Sequence, residues 1–166
     1  MKISRQALIV FVLALFLGAT FFHDLHAGGP QVAPPKFKVM GERYMNSITI
    51  LVDKSVSDEQ IRALLLKFKN AKASGTFAKI GIPPTTPGGA LGPYASIQIF
   101  IFTDPQWTGA KTLERATNDL AYMKKWNSHI RGYYFLPIGS EEIGTIGFKE
   151  DGITYTKKFV EVFGRS

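Results

Sequence analysis

The sequence predicts an α+β protein: a two-layer α/β sandwich with two helices packed on one face of a mixed or antiparallel sheet. Two observations carry this prediction. Apolar, β-branched runs with strand-like alternation lie at Ser47–Val52 and Ala95–Thr103, and each is followed by a segment with helical spacing of apolar residues. Shorter strand patterns then close the chain. A length of 166 residues fits one domain plus a short extension.

The sequence of the first helix has a clear N-cap, an apolar stripe and a C-terminal stop signal. Ser57 is a candidate N-cap, and Gln60 three residues later completes a capping box. Gly75 is a natural C-terminal stop. The apolar residues at helical spacing, which form one stripe, are Ile61, Leu64, Leu65, Phe68 and Ala71.

The segment after this helix leaves the topology open. If Thr76–Ile82 is a strand, the middle of the chain matches the split βαβ arrangement of ferredoxin-like folds. If it is coil, the two core strands are parallel through one crossover. The following stretch, "GIPPTTPGGALGPY" at Gly81–Tyr94, is uncharged and rich in proline and glycine. We expect it to be a stiff connector rather than a binding loop.

The second half begins with a strand that is apolar on both faces, as in the centre of a sheet. Its alternating residues are Ile97, Ile99 and Ile101 on one face, and Gln98, Phe100 and Phe102 on the other. A second helix is expected from Thr108 or Gly109 to Trp126, with Leu113, Ala116, Leu120 and Met123 on one face. A strand follows at His129–Leu136. Glu150-Asp151-Gly152 then signals the turn of a C-terminal β-hairpin.

The N-terminus has the three-part layout of a secretory signal. Lys2 and Arg5 precede sixteen uncharged residues, Ala7–Phe22, and a polar stretch ends at Ala27. This run is short of the roughly 20 residues that a permanent span needs. We therefore predict a bacterial protein exported to the periplasm or beyond, with anchoring in the inner membrane by residues 7–22 as the alternative. The expected divisions are 1–27 signal peptide or signal anchor, 28–42 linker and lead-in, and 43–166 a single compact domain.

The composition excludes some kinds of site and indicates the class of binding partner. The chain has no cysteine, which excludes disulfides and thiolate sites, and its histidines do not form a metal-binding spacing. We expect no metal and no cofactor. A net charge of +7 favours an anionic envelope component, a glycan or lipid head group, or another envelope protein. Export argues against nucleic acid, and membrane contact is expected only through an uncleaved N-terminal segment.

Candidate catalytic residues are few. Asp53 and Asp104 each follow a core strand, so parallel neighbouring strands would bring both carboxylates to one sheet edge. His129 lies at a helix–strand junction, where it is a solvated junction residue or a general base. Turn and cap roles are the more ordinary use of both aspartates.

Candidate binding residues fall in two groups. Arg131, Tyr133 and Phe135 are expected on one face of a strand, where they could stack on sugar rings, with Ile130, Tyr134 and Leu136 on the other face. Lysines near both helix ends would form one anionic-ligand patch if both helices share a layer. These residues are Lys67, Lys69, Lys72, Lys124 and Lys125.

The leading functional hypothesis is a non-catalytic binding or interaction module of the cell envelope with a basic surface. It follows from the leader, the positive charge and the lack of a catalytic constellation. The alternative is a small periplasmic enzyme, a hydrolase that uses residues around Asp104 or His129.

Overall fold

A computed structural model describes residues 32–44, 46–86 and 91–164 of the chain. The predicted leader, residues 1–27, lies outside this part. One compact unit spans Val32–Ser166. Within the described ranges, no helix has the length and apolar character needed to cross a membrane.

The described elements alternate between strands and helices before a strand-rich C-terminal part. In chain order they are β1 (Lys38–Tyr44), β2 (Ser47–Leu51), α1 (Asp58–Ala73), β3 (Ile97–Phe102), α2 (Ala110–Asn118), α3 (Leu120–Asn127), β4 (Gly132–Leu136), β5 (Ile143–Ile146), β6 (Lys149–Glu150), β7 (Ile153–Thr154) and β8 (Val160–Phe163). Six strands form one sheet in the order β1-β2-β3-β4-β5-β8. β2 and β3 are parallel and the other neighbours are antiparallel, which confirms the α+β class and the mixed sheet.

The parallel β2–β3 pair decides between the two predicted topologies. Residues 76–82 form no strand; they include a 3₁₀ turn at Ala78–Ile80, which ends at Gly81 in a left-handed conformation with φ of 81°. The ferredoxin-like arrangement is therefore wrong, and the single-crossover alternative is confirmed. Phe77 and Ile82 within this segment are buried, so its apolar residues cover the core instead of pairing in the sheet.

Helix α1 forms as its sequence indicates. The backbone N–H of Gln60 donates to Ser57 Oγ at 3.3 Å, and Ser57 N–H donates to Gln60 Oε1 at 3.0 Å, which completes the capping box. The whole predicted apolar stripe is buried. It packs against the β3 face that carries Ile97, Ile99 and Ile101, and this layer of helix on sheet contains the larger core.

The second helical segment packs on the opposite face of the sheet. Leu113, Ala116 and Trp126 lie in a separate core with Phe100 and Phe102 of β3. The prediction that both helices pack on one face is therefore wrong. The physical reason is β3 itself, whose large apolar side chains alternate to both faces and need cover on each.

This second segment is broken at Asp119, where one continuous helix was expected. Asp119 leaves the helical conformation (φ −127°, ψ 102°) and its carboxylate accepts from the Tyr122 N–H at 3.0 Å, which caps α3. The break turns Leu120 outward, and this residue is 66% exposed although it was expected in the apolar stripe. α2 and α3 thus approach the sheet as two short helices.

The proline-rich connector is held at its two described ends. The hydroxyl of Thr85, which is fully buried, donates to the Ser96 carbonyl at 2.7 Å, and the Thr85 N–H donates to the Pro93 carbonyl at 3.0 Å. The Tyr94 hydroxyl donates to the Ile82 carbonyl at 2.8 Å. These bonds agree with a connector that packs on the core.

The C-terminal hairpin forms at the predicted turn. β6 and β7 pair across Asp151 and Gly152, both with positive φ (49° and 80°), as a type I′ turn requires. Just before β6, Gly147 has φ of 76°, and a Cβ there would lie 2.0 Å from the Lys158 carbonyl oxygen. Gly147 therefore lets the hairpin fold back closely on the following chain.

We expect Gly147→Ala to destabilise the protein far more than Gly152→Ala. Both positions have similar φ values, but a Cβ at Gly152 meets no atom within 4 Å. Backbone strain alone costs about 1–2 kcal/mol, and the collision at Gly147 adds roughly 1–3 kcal/mol. Urea denaturation of both variants measures the difference. Equal losses would show that the close approach at Gly147 is not a constraint.

Candidate functional site

A cavity of about 330 Å³ lies between the sheet and the two short helices, at the amino-terminal end of β2 and β3. We call it the Asn127 cavity. Its floor is formed by Ser47, Gln98 and Phe100, and its side by Phe148 and Glu150. Helices α2 and α3 supply the roof, which consists of Leu113, Ala116, Thr117, Met123, Trp126 and Asn127. The volume is within the roughly 300–1,000 Å³ range of small-molecule sites.

The walls are held rigidly by ring packing. The ring centroids of Phe100 and Trp126 are 4.8 Å apart, and those of Phe100 and Phe148 are 6.0 Å apart. The indole N–H of Trp126 donates to the Trp107 carbonyl at 2.9 Å, which fixes the orientation of that ring. The cavity is therefore a preformed space whose lining is apolar and polar in similar measure.

Asn127 is the most informative of these polar groups. It is the last residue of α3 and only 2% exposed. Its Nδ2 is buried and donates to no partner among the described residues. An unsatisfied buried donor costs about 1–3 kcal/mol. The Nδ2 atom has almost no accessible surface, so it lies within the packed wall and does not face the space of the cavity.

Two further side chains add polarity. Gln98 stands opposite Phe135 in the sheet, and its Oε1 accepts from the Tyr133 hydroxyl at 3.3 Å. Glu150 contributes a carboxylate at the end of β6. Partial burial, and next the charge of Asp151, raise the pKa of Glu150. The boundary thus combines amide groups with one carboxylate.

The sheet brings Asp53 and Asp104 to the same edge, at the other end of the strands from the Asn127 cavity. Leu51 and Phe102 are register partners in the parallel pair, so the two aspartates follow at equivalent positions. Each carboxylate accepts hydrogen bonds from the residue two positions later. Asp53 accepts from the N–H and hydroxyl of Ser55. Asp104 accepts from the N–H and side-chain amide of Gln106. These bonds are those of turn and cap residues.

His129 lies beside this edge rather than in a cleft. Its ring stacks on Trp107 with centroids 4.0 Å apart and planes 10° apart. Partial burial and the charge of Lys125 lower the pKa of His129, against an opposite effect of Asp104. No group of three or more His, Cys, Asp or Glu side chains in the described ranges could hold a metal.

The predicted aromatic strand begins later than expected, at Gly132, so the residues before it do not alternate between the faces of the sheet. Tyr133 and Phe135 share one face, and Tyr134 and Leu136 belong to the core on the other. Ile130, however, lies in the same core as Phe100, because the strand begins only at Gly132.

Tyr133 is not an open stacking platform. It stacks on Phe100 with centroids 5.0 Å apart and meets Phe148 edge-on at 5.0 Å. Burial, and next the charge of Glu150, raise the pKa of Tyr133. Tyr133 therefore packs against two of the rings that line the Asn127 cavity, those of Phe100 and Phe148.

Arg131 forms an ion pair instead of a binding face. Its Nη2 is 2.5 Å from Oδ1 of Asp58, and Lys158 bonds the other carboxylate oxygen. The bond from Lys158, and next that from Arg131, lower the pKa of Asp58 despite an opposing effect of partial burial. The cluster ties the start of α1 to the beginning of β4 and to the chain before β8.

The predicted lysines do not form one surface. Lys67, Lys69 and Lys72 belong to α1 and Lys124 and Lys125 to α3, and these helices cover opposite faces of the sheet. Two of the α1 ammonium groups lie over aromatic rings, Lys67 5.8 Å from Phe37 and Lys69 4.8 Å from Phe163. The combined patch expected from the sequence is therefore wrong, and any anion contact would use each group separately.

Sequence reasoning missed the polar residues of the Asn127 cavity. Gln98 carried a signal, because it is the one polar residue on a strand face that otherwise presents Phe100 and Phe102. Asn127 carried none, because a residue at a helix end is usually exposed and this one is buried. Glu150 is exposed, as expected of a residue beside a turn, and only the tertiary packing places it at the cavity.

We expect Asn127→Leu to stabilise the ligand-free protein by about 1 kcal/mol, because it removes an unsatisfied buried amide and keeps the side-chain volume. Urea denaturation of the wild type and the variant measures this. Lys124→Leu, at an exposed position of the same helix, is the control for a general effect of leucine. A loss of stability in Asn127→Leu would mean that the amide has a structural partner.

We expect Asp58→Asn to lower the free energy of unfolding by roughly 1–3 kcal/mol at neutral pH, since it removes charged hydrogen bonds. The pKa of Asp58 is lowered by folding, so its contribution is present above the unfolded value of about 3.9 and is lost as pH falls through the folded value. Stability curves of both proteins should converge in acid. A difference that persists at low pH would contradict the ion-pair account.

No family model, curated protein or solved structure matches the chain.

Proposed function

We propose that this is an exported, non-catalytic binding protein of the bacterial cell envelope that holds a small molecule in the Asn127 cavity. The observation that carries the proposal is the preformed cavity itself, which is lined by the rings of Phe100, Trp126 and Phe148 together with polar side chains that include Gln98 and Glu150. Small-molecule sites combine an apolar lining with a few polar groups that orient the ligand.

The cell-envelope setting is supported by the leader pattern, Lys2 and Arg5 followed by the uncharged run Ala7–Phe22. An anionic envelope component that contacts the exposed lysines is a secondary part of the proposal. The net charge of +7 supports it.

A binding role has more support than hydrolysis. Two hydroxyl side chains line the Asn127 cavity, Ser47 and Thr117, and among the described residues neither is hydrogen-bonded to a histidine or a carboxylate. Thr117 donates to the Leu113 carbonyl at 3.0 Å. Asp53 and Asp104 share an edge but are occupied by their own turns. His129 is stacked on Trp107 and faces no serine or threonine in a described hydrogen bond.

The proposal is tested by filling the cavity. Ala116 lines it and is buried, so Ala116→Leu places an isopropyl group in the ligand space. We expect the full chain, purified from its native host, to release one or a few compounds on organic extraction, and Ala116→Leu to release at least about tenfold less of them. Mass spectrometry of the extracts measures this.

The matched control is Ala121→Leu, which makes the same change at an exposed position on α3. It should retain the compounds seen with the wild type. Equal amounts from the wild type and Ala116→Leu would rule out the Asn127 cavity as the binding site.

A further inference from the structure

We infer that the ligand of the Asn127 cavity is a small organic ammonium compound whose cation lies beside Glu150 and next to the aromatic rings of the lining. This inference rests on the proposed binding function and adds the chemical class of the ligand.

The charge of the cavity points to a cation. Glu150 is the one ionisable side chain among the described residues that line it, and no lysine, arginine or histidine does so. This contrasts with the net charge of +7 for the whole chain. An anionic ligand would meet a carboxylate without any compensating cation, whereas an ammonium group would gain a favourable pair.

Glu150 is also free to receive such a partner. None of the ion pairs between described residues includes it. The ammonium group of its neighbour Lys149 lies 5.8 Å from the Phe159 ring centroid. The other neighbour, Asp151, is a like charge, so a bound cation would relieve repulsion at this turn.

The walls suit a weakly hydrated cation. Phe100, Trp126 and Phe148 surround the space with aromatic carbon. Alkylated ammonium groups lose little hydration on entering an apolar site and are attracted to the electron-rich faces of aromatic rings. A compact neutral molecule with the same shape would gain the apolar contact but neither charge interaction.

The test compares two probes of one shape, acetylcholine and its uncharged isostere 3,3-dimethylbutyl acetate. Both carry the ester acceptor, and only the first is a cation. We expect calorimetry with the full chain to give a dissociation constant for acetylcholine at least about tenfold lower than for the isostere.

Three variants assign the contacts. Glu150→Gln should bring the two dissociation constants together, while Glu141→Gln, the same charge change outside the cavity lining, should not. Ala116→Leu, which fills part of the cavity, should weaken both probes to a similar degree. Thermal melts confirm that each variant is folded.

Equal binding of the two probes, or tighter binding of the isostere, would overturn the ammonium assignment and leave the binding function standing. Failure of both probes to bind would also overturn it. The binding function is judged separately, by extraction from the wild type and Ala116→Leu, so the two ideas can fail independently.

Discussion

The structure depends on one constraint: β3 presents large apolar side chains to both faces of the sheet and must be covered on both. The face of β3 that carries Ile97, Ile99 and Ile101 is covered by α1, which has a continuous apolar stripe. The face that carries Phe100 and Phe102 is covered by α2 and α3. The parallel pairing of β2 with β3 follows from the same arrangement, because α1 serves as the crossover between them. Both cores, and the position of every candidate site, follow from this central strand.

The two layers are not equally complete. α1 is long, well capped and closely packed, whereas the opposite layer consists of two short helices separated at Asp119. Over the amino-terminal end of β2 and β3 this layer leaves the Asn127 cavity, bordered by aromatic rings and a few polar groups. A cavity with an unsatisfied amide lowers stability, and such costs are concentrated where a protein binds something. The weaker layer is therefore where we place function.

Local patterns in the sequence predicted the elements better than their assembly. The capping box of Ser57 and the turn at Asp151-Gly152 formed as expected, since each depends on a few neighbouring residues. The side of the sheet taken by the second helix was not predicted, because helical periodicity specifies an apolar stripe without specifying which face it covers. The break at Asp119 had a local cause, a capping side chain within an otherwise helical pattern. The Asn127 cavity could not be foreseen, because it joins residues from four separate stretches of chain.

The most direct test of this account is a crystal structure of the protein isolated from its native host, with the electron density in the Asn127 cavity as the measurement. The account predicts density for an organic molecule that fills the cavity and contacts the rings of Phe100 and Phe148. Ordered water alone, or a side chain of the protein filling the space, would contradict it.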